Sequence, residues 1–176
     1  MNNVVYLSLS DYFKYIFPSI RKITYDDDRK KPIYEDQESG IKTIDGIISF
    51  IQNDNYYPTF INKASYLFTA ISTGHHFPNG NKRLALFSFA YFAHQNGYNF
   101  RGINIYEYKK WFKKYFSGYR VTKMNFSTNV GWAIYNFNRA INIKYPEKRR
   151  SHKYNFDEIK EITEIFFNLI LDKQKT

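Results

Sequence analysis

Apolar residues recur every three or four positions along most of the 176-residue chain, which is the spacing of one face of an α-helix. Ile41, Ile44, Ile48 and Ile51 follow this spacing and predict a helix over residues 43–52. The same reasoning predicts helices over residues 11–20, 59–73, 81–96, 106–116, 127–143 and 156–171. The pattern predicts an all-α fold, and the length of the chain suits one compact domain over residues 1–176.

Polar residues mark the connections between these helices. Ser10 can cap the first helix, and Gly74 is suited to the left-handed conformation that closes the helix over residues 59–73. Residues 24–39 are polar and show no sustained period, so they predict a long loop. The three successive aspartates at 26–28 are expected to be solvent-exposed within that loop.

The predicted helix over residues 81–96 differs from the others because it is apolar all round. Between Leu84 and Ala93 only Ser88 and the hydroxyl of Tyr91 are polar. A helix without a solvated face normally lies at the centre of a core. We therefore expect the first turn of this helix to begin in partly dehydrated surroundings, where charges attract each other more strongly.

That first turn carries Lys82 and Arg83, whereas acidic residues are the usual choice at a helix start. Backbone N–H groups without helical partners and the positive end of the helix dipole both attract anions there. Pro78 and Gly80 predict a tight loop just before the helix, which lets N–H groups approach phosphate oxygens. The sequence thus predicts a phosphate-binding site at this helix start.

Composition narrows the function classes further. The chain has no cysteine, which excludes disulfides, thiolate metal sites and a cysteine nucleophile. The formal charge of +10 and 20% aromatic content are compatible with nucleic-acid binding, but the cations are scattered along the sequence, so a nucleic-acid partner is not expected. The N-terminus lacks the features of a secretory signal and no apolar run is long enough to span a membrane, which predicts a cytoplasmic protein.

The string HHFPNGNKR at residues 75–83 resembles the signature of the Fic/Doc superfamily, and its lysine is closer to the Doc (death-on-curing) toxin branch. The likeness extends over roughly residues 40–100, the motif-bearing core, and leaves a C-terminal helical extension over about 105–172. It implies a compact helical bundle with a short extended flap before the motif-leading helix. The residues that carry the likeness are His75, Phe77, Gly80, Asn81, Lys82 and Arg83.

The resemblance implies a toxin-like transferase that modifies a hydroxyl group of another protein. His75 would be the general base that removes the proton of the hydroxyl, and such a base typically contributes about 10²–10⁴ in rate. Phe77 would anchor the loop in the core. Gly80 and Asn81 would hold the phosphate oxygens of the nucleotide through backbone and amide groups, and Lys82 and Arg83 would neutralise the triphosphate.

The resemblance also implies the co-substrate, which is ATP or another nucleoside triphosphate with Mg²⁺. Relatives with glycine at the position of Lys82 transfer AMP, whereas Doc, which has lysine, phosphorylates elongation factor Tu. Lys82 therefore favours phosphoryl transfer, and AMP or NMP transfer is the alternative. Relatives carry an acidic metal ligand where this chain has Asn79, so a weakened enzyme or a non-catalytic nucleotide or protein binder is a further alternative.

Two kinds of protein partner follow from the likeness. The target, for which a translation factor is a candidate, would dock as an added strand on the flap over residues 53–60, which includes Tyr56, Tyr57 and Pro58. The chain contains no Ser/Thr-x-x-x-Glu-Gly/Asn inhibitory string of the kind many Fic enzymes carry, so an antitoxin-like protein would restrain it.

The three other histidines have structural interpretations. His76 occupies an unspecified position of the motif and would shape the loop. His94 lies at the far end of an apolar helix, where a hydrogen-bonded structural histidine is expected. His152 lies in a basic connection and is expected to be exposed.

Overall fold

The computed structural model describes residues 4–22, 31–122, 128–142 and 155–174. The predicted aspartate run at 26–28 and His152 lie outside these residues. The chain divides into two compact units, Met1–Tyr98 (unit 1) and Asn99–Thr176 (unit 2). Unit 1 contains the whole of the HHFPNGNKR string.

Unit 1 is helical throughout its regular structure. Its helices are α1 (Leu9–Asp11), α2 (Phe17–Arg21), α3 (Glu38–Phe50), α4 (Phe60–Thr73) and α5 (Asn81–Gln95), with a π-helical turn (Tyr12–Ile16) joining α1 to α2. The predicted helices over residues 59–73 and 81–96 are confirmed to within one residue at each end. The helix predicted over 43–52 is confirmed in type, but it begins five residues earlier, at Glu38.

The first helical segment begins earlier than expected and is not regular. Ser8, rather than Ser10, is the N-cap, because Ser8 and Asp11 form a reciprocal pair in which each side chain accepts from the other's backbone N–H. The π-helical turn that follows buries Tyr12 together with its hydroxyl. Burial raises the pKa of Tyr12 well above its ordinary value of about 10.

Helix α5 lies in the core of unit 1, as its composition predicts. Every residue from Arg83 to Ala93 is buried or half-buried. The aromatic rings of Phe89 and Phe92 are completely buried and pack against α4 through Phe68 and Phe60 respectively, with centroid separations of 5.9 and 4.9 Å. The first turn of α5 therefore leads into helical turns that are largely shielded from water.

Unit 2 is also mostly helical, with a small sheet that was not predicted. Its elements are α6 (Ile105–Tyr115), α7 (Asn129–Ile141), α8 (Phe156–Ile170) and two short strands, β1 (Tyr98–Phe100, which begins at the unit boundary) and β2 (Leu171–Lys173), which pair with each other. The core of unit 2 is aromatic: the rings of Phe137 and Phe166 stack at 4.3 Å. The predicted all-α class is thus right in its main feature.

Candidate functional site

The string HHFPNGNKR forms the loop that joins α4 to α5 together with the first turn of α5. Gly74, the C-cap of α4, has φ of −78° and is right-handed, so the expectation of a left-handed glycine there is wrong. The left-handed residue is His75, at φ of +50°. Positive φ is uncommon for residues other than glycine, and such strained positions cluster at functional sites.

The two histidines of the loop have opposite environments. The ring of His75 is exposed. The ring of His76 lies half-buried against Gly74, and its Nε2 lies 2.9 Å from the backbone oxygen of Ala70, one turn back in α4. His76 thus ties the loop to α4, whereas His75 presents its imidazole to solvent.

Phe77 fixes the centre of the loop in the core of unit 1. Its side chain is 3% exposed and packs edge-on against Tyr34, with ring centroids 5.0 Å apart. A Cβ atom at Gly40 of α3 would lie 2.5 Å from the Phe77 ring, so only glycine allows this approach. The loop is therefore held against α3 and against the segment before α3.

Asn81, the first residue of α5, closes the loop on itself. Its Oδ1 accepts from the N–H of Phe77 at 3.0 Å, and its Nδ2 donates to the carbonyl of Phe77 at 2.6 Å. Because the Asn81 side chain is 8% exposed and both ends of its amide are engaged, it shapes the loop instead of offering the amide to a ligand. This differs from the expectation that the Asn81 amide holds phosphate oxygens.

Gly80 is the N-cap of α5 and lies in the left-handed region, at φ of +83°. A Cβ atom there would collide with the Tyr34 hydroxyl and would lie 2.8 Å from Cβ of Pro32. Glycine is therefore required both by its backbone conformation and by its neighbours. As a glycine, the cap residue supplies no side-chain oxygen to the N–H groups of the first turn.

The electrostatics of this helix start favour an anion. The first turn of α5 contains no acidic residue. It carries Lys82, which is exposed, and Arg83, which is half-buried, next to the exposed Asn79 of the loop. Among the described residues, the backbone N–H of Asn81 has no hydrogen-bond partner. Two cations and the positive end of the helix dipole thus converge on one short segment.

The predicted docking flap has a different shape from the one expected. Instead of an extended strand, Asn53 begins a hydrogen-bonded turn, in which its carbonyl accepts from the N–H groups of Tyr56 and Tyr57 at 3.2 and 3.0 Å. Tyr57 is only 7% exposed, while Tyr56 is 67% exposed and Pro58 is exposed. An added strand needs extended backbone with available N–H groups, so residues 53–57 do not provide the predicted docking edge.

The turn that begins at Asn53 is held by a buried lysine that was not identified from the sequence. Nζ of Lys63 in α4 donates to the carbonyl of Ile51 at 2.9 Å and to Oδ1 of Asp54 at 2.6 Å, and the lysine side chain is 1% exposed. A buried cation requires such partners. Lys63 is therefore a structural residue that fixes the end of α3 and the turn.

His94 is exposed, which differs from the buried setting expected for a structural histidine on this helix. The part of the chain that the structure describes contains no group of three or more histidine, aspartate or glutamate side chains arranged to hold a metal ion. Over the same residues, no helix combines the length and the apolarity needed to cross a bilayer.

Comparison of the chain with protein-family models, with curated proteins and with solved structures gave no match.

Proposed function

We propose that the protein is a Fic/Doc-type transferase that moves a phosphoryl group from a nucleoside triphosphate to a hydroxyl side chain of a target protein. The observation that carries this proposal is the α4–α5 loop. It presents an exposed, left-handed His75 a few residues before a cationic helix start that is capped by a left-handed glycine, Gly80. A base beside an anion-binding helix start is a suitable arrangement for group transfer between phosphate and hydroxyl.

In the proposed reaction, His75 accepts the proton of the target hydroxyl as its oxygen attacks the γ-phosphorus. A bond forms between that oxygen and phosphorus. The bond from phosphorus to the β,γ-bridging oxygen breaks, and the nucleoside diphosphate leaves with the electron pair. His75 has the exposure that such a base requires, and neighbouring His76 is already engaged with α4.

The phosphates would be held by the first turn of α5. The donors to phosphate on this segment would be the N–H of Asn81 and the side chains of Lys82 and Arg83. Arg83 is expected to contribute most, because a planar guanidinium grips two oxygens at once. In this proposal the Asn81 amide acts indirectly, through the loop that it closes on Phe77.

Asn79 is the loop residue that corresponds to the acidic metal ligand of the family. An amide oxygen binds Mg²⁺ without supplying negative charge, so the metal would be drawn mainly by the nucleotide phosphates. We expect Asn79→Asp to tighten Mg²⁺ binding to the protein–nucleotide complex and to raise the transfer rate. Titration of Mg²⁺ by calorimetry in the presence of a non-hydrolysable ATP analogue measures the first effect. Equal metal affinity in both proteins would contradict the placement of the metal at this loop.

A test of the proposed function is incubation of the protein with ATP and a bacterial extract, followed by mass spectrometry of the modified proteins. We expect phosphate on a hydroxyl side chain and no modification with His75→Ala. His94→Ala is the matched control, because His94 is an exposed histidine at the opposite end of α5. Equal modification by wild type and His75→Ala would overturn the assigned base.

The same spectra separate the alternatives. Transfer of AMP or another NMP leaves a nucleotide on the target, which differs greatly in mass from phosphate. ATP binding without any modification would support a non-catalytic binder, which the neutral Asn79 favours. Steeply salt-dependent DNA or RNA binding that survives Arg83→Ala would instead indicate a nucleic-acid binder.

The proposed partners follow from the same assignment. The target would be a protein with an accessible hydroxyl side chain, a translation factor being the first candidate. An antitoxin-like protein would hold the enzyme inactive, as proposed from the sequence. Because residues 53–57 form a turn, any docking of the target at this segment would use the exposed ring of Tyr56, not strand addition.

A further inference from the structure

A tyrosine outside the motif touches the backbone of the candidate site. Tyr34 belongs to the non-helical segment before α3 and is 0% exposed. Its hydroxyl donates to the carbonyl of Gly80 at 3.1 Å, across a sequence separation of 46 residues. The phenol therefore reaches the residue that caps α5.

The Gly80 carbonyl accepts two hydrogen bonds, one from Tyr34 and one from the N–H of Leu84 at 2.9 Å. A peptide unit is planar and trans, so fixing the direction of this carbonyl also fixes the N–H of Asn81 in the same unit, which points the opposite way. Since the carbonyl points along α5, the Asn81 N–H points out of the helix start. That N–H has no partner among the described residues.

The phenol itself has little freedom. The Tyr34 ring stacks on Phe17 at a centroid distance of 4.7 Å with an interplanar angle of 21°, and it meets the edge of Phe77 at 5.0 Å. Pro32, two residues earlier, is buried close to Gly80. Two rings thus aim the hydroxyl, and removing the oxygen alone would leave the ring in place.

We infer that Tyr34 is a positioning residue of the phosphate site. It orients the Gly80–Asn81 peptide so that the Asn81 N–H is directed at the bound nucleotide's phosphate. The role rests on the proposed function, because it requires that the start of α5 receives a phosphate. It assigns a part in that site to a residue outside the motif, because the motif begins at His75, 41 positions after Tyr34.

The test compares Tyr34→Phe with Tyr108→Phe. Tyr108, in unit 2, is 1% exposed, and its hydroxyl donates to the backbone carbonyl of Ala133 at 2.9 Å, so it loses the same kind of bond away from the site. We expect Tyr34→Phe to weaken ATP binding about fivefold, within the range of one hydrogen bond, and to raise the nucleotide KM with little change in kcat. Tyr108→Phe should leave both quantities unchanged.

A second readout needs no nucleotide. Hydrogen exchange of the peptide over residues 75–83 should be faster in Tyr34→Phe and unchanged in Tyr108→Phe, because only the first loses a bond to this loop. Unchanged ATP affinity in Tyr34→Phe would overturn the inference. If the wild type binds no ATP, the proposed function fails, and the exchange measurement alone decides whether Tyr34 orders the loop.

Discussion

Two successive helices of unit 1 begin in opposite ways. At the start of α4, Thr59 and Asn62 form a capping box: the Thr59 hydroxyl accepts from the Asn62 N–H at 3.1 Å, and Oδ1 of Asn62 accepts from the Thr59 N–H at 3.3 Å. At the start of α5, the cap is Gly80, and the first polar side chain, Asn81, turns back to Phe77.

The difference separates a helix start that is capped by its own side chains from one that lacks a side-chain cap and, in our proposal, receives a phosphate. Side chains at the start of α4 meet the needs of its first N–H groups. Those at the start of α5 add positive charge, through Lys82 and Arg83, where the helix dipole is already positive. The stability of α5 therefore depends on the burial of its later turns and not on acidic side chains in its first turn.

The largest expected effect comes from giving the α5 cap a side chain. Gly80→Ala should lower the free energy of unfolding by about 3–5 kcal/mol, from left-handed strain plus collision with Pro32 and Tyr34. Gly97→Ala is the matched control, because Gly97 has φ of +71° but no described atom within 4 Å of its Cβ position. That variant should lose about 1–2 kcal/mol from strain alone. Denaturant unfolding followed by circular dichroism measures both, and equal losses would contradict the close packing around Gly80.

Removing the guanidinium of Arg83 should weaken ligand binding. We expect Arg83→Ala to weaken ATP binding by about 10–100-fold, corresponding to about 1.4–2.8 kcal/mol, with Arg83→Lys in between. Lys42→Ala is the control, because Lys42 is an exposed cation of the same unit, paired with Glu38 in α3. Calorimetric ATP titration gives the affinities, and identical values for Arg83→Ala and Lys42→Ala would remove Arg83 from the site.

Removing the cap of α4 should lower stability without changing ligand binding. Thr59→Ala is expected to cost about 1 kcal/mol of stability and to leave ATP affinity unchanged, because its hydroxyl serves only the start of its own helix. Thr59→Gly should cost only a few tenths of a kcal/mol by the same comparison of cap residues. A change in ATP affinity with either variant would show that the two helix starts are not independent.

The last expected change in stability is small and has the opposite sign. Lys82→Glu should stabilise the nucleotide-free protein by about 0.5 kcal/mol, because an acidic residue suits the first turn of a helix. The same change should abolish detectable ATP binding by repelling phosphate. Thermal unfolding at low salt, with and without ATP, measures both effects. A loss of stability in the nucleotide-free state would show that the start of α5 does not favour negative charge.

The helices and the motif were predictable because they depend on local signals. The helices over residues 59–73 and 81–96 have clear apolar periods and polar or glycine residues at their ends, which is why their bounds agree with α4 and α5. The burial of α5 followed from its lack of a polar face. The cationic first turn and the tight loop were visible in HHFPNGNKR itself.

What was missed depends on contacts between distant residues or on choices among near-equal backbone states. Tyr34 lies in a segment without periodicity, where an aromatic residue two positions after a proline is a weak sign of a buried anchor. The left-handed residue is His75 and not Gly74, because the His76 ring packs on Gly74 and fixes the helix end there. The turn at Asn53 replaced the expected extended segment because Lys63, in the next helix, holds it.

The buried phenols of Tyr12 and Tyr108, one in each unit, set an alkaline limit for the protein. Burial raises the pKa of both, and neither hydroxyl can release its proton while its surroundings remain dry. Below about pH 10 the phenols are protonated in the folded and unfolded chain alike, so their contribution is constant. At higher pH these phenols ionise in the unfolded chain and not in the folded one, so the free energy of unfolding falls as the pH rises further. Strong base would therefore open both units by the same chemistry, although only one of them carries the motif.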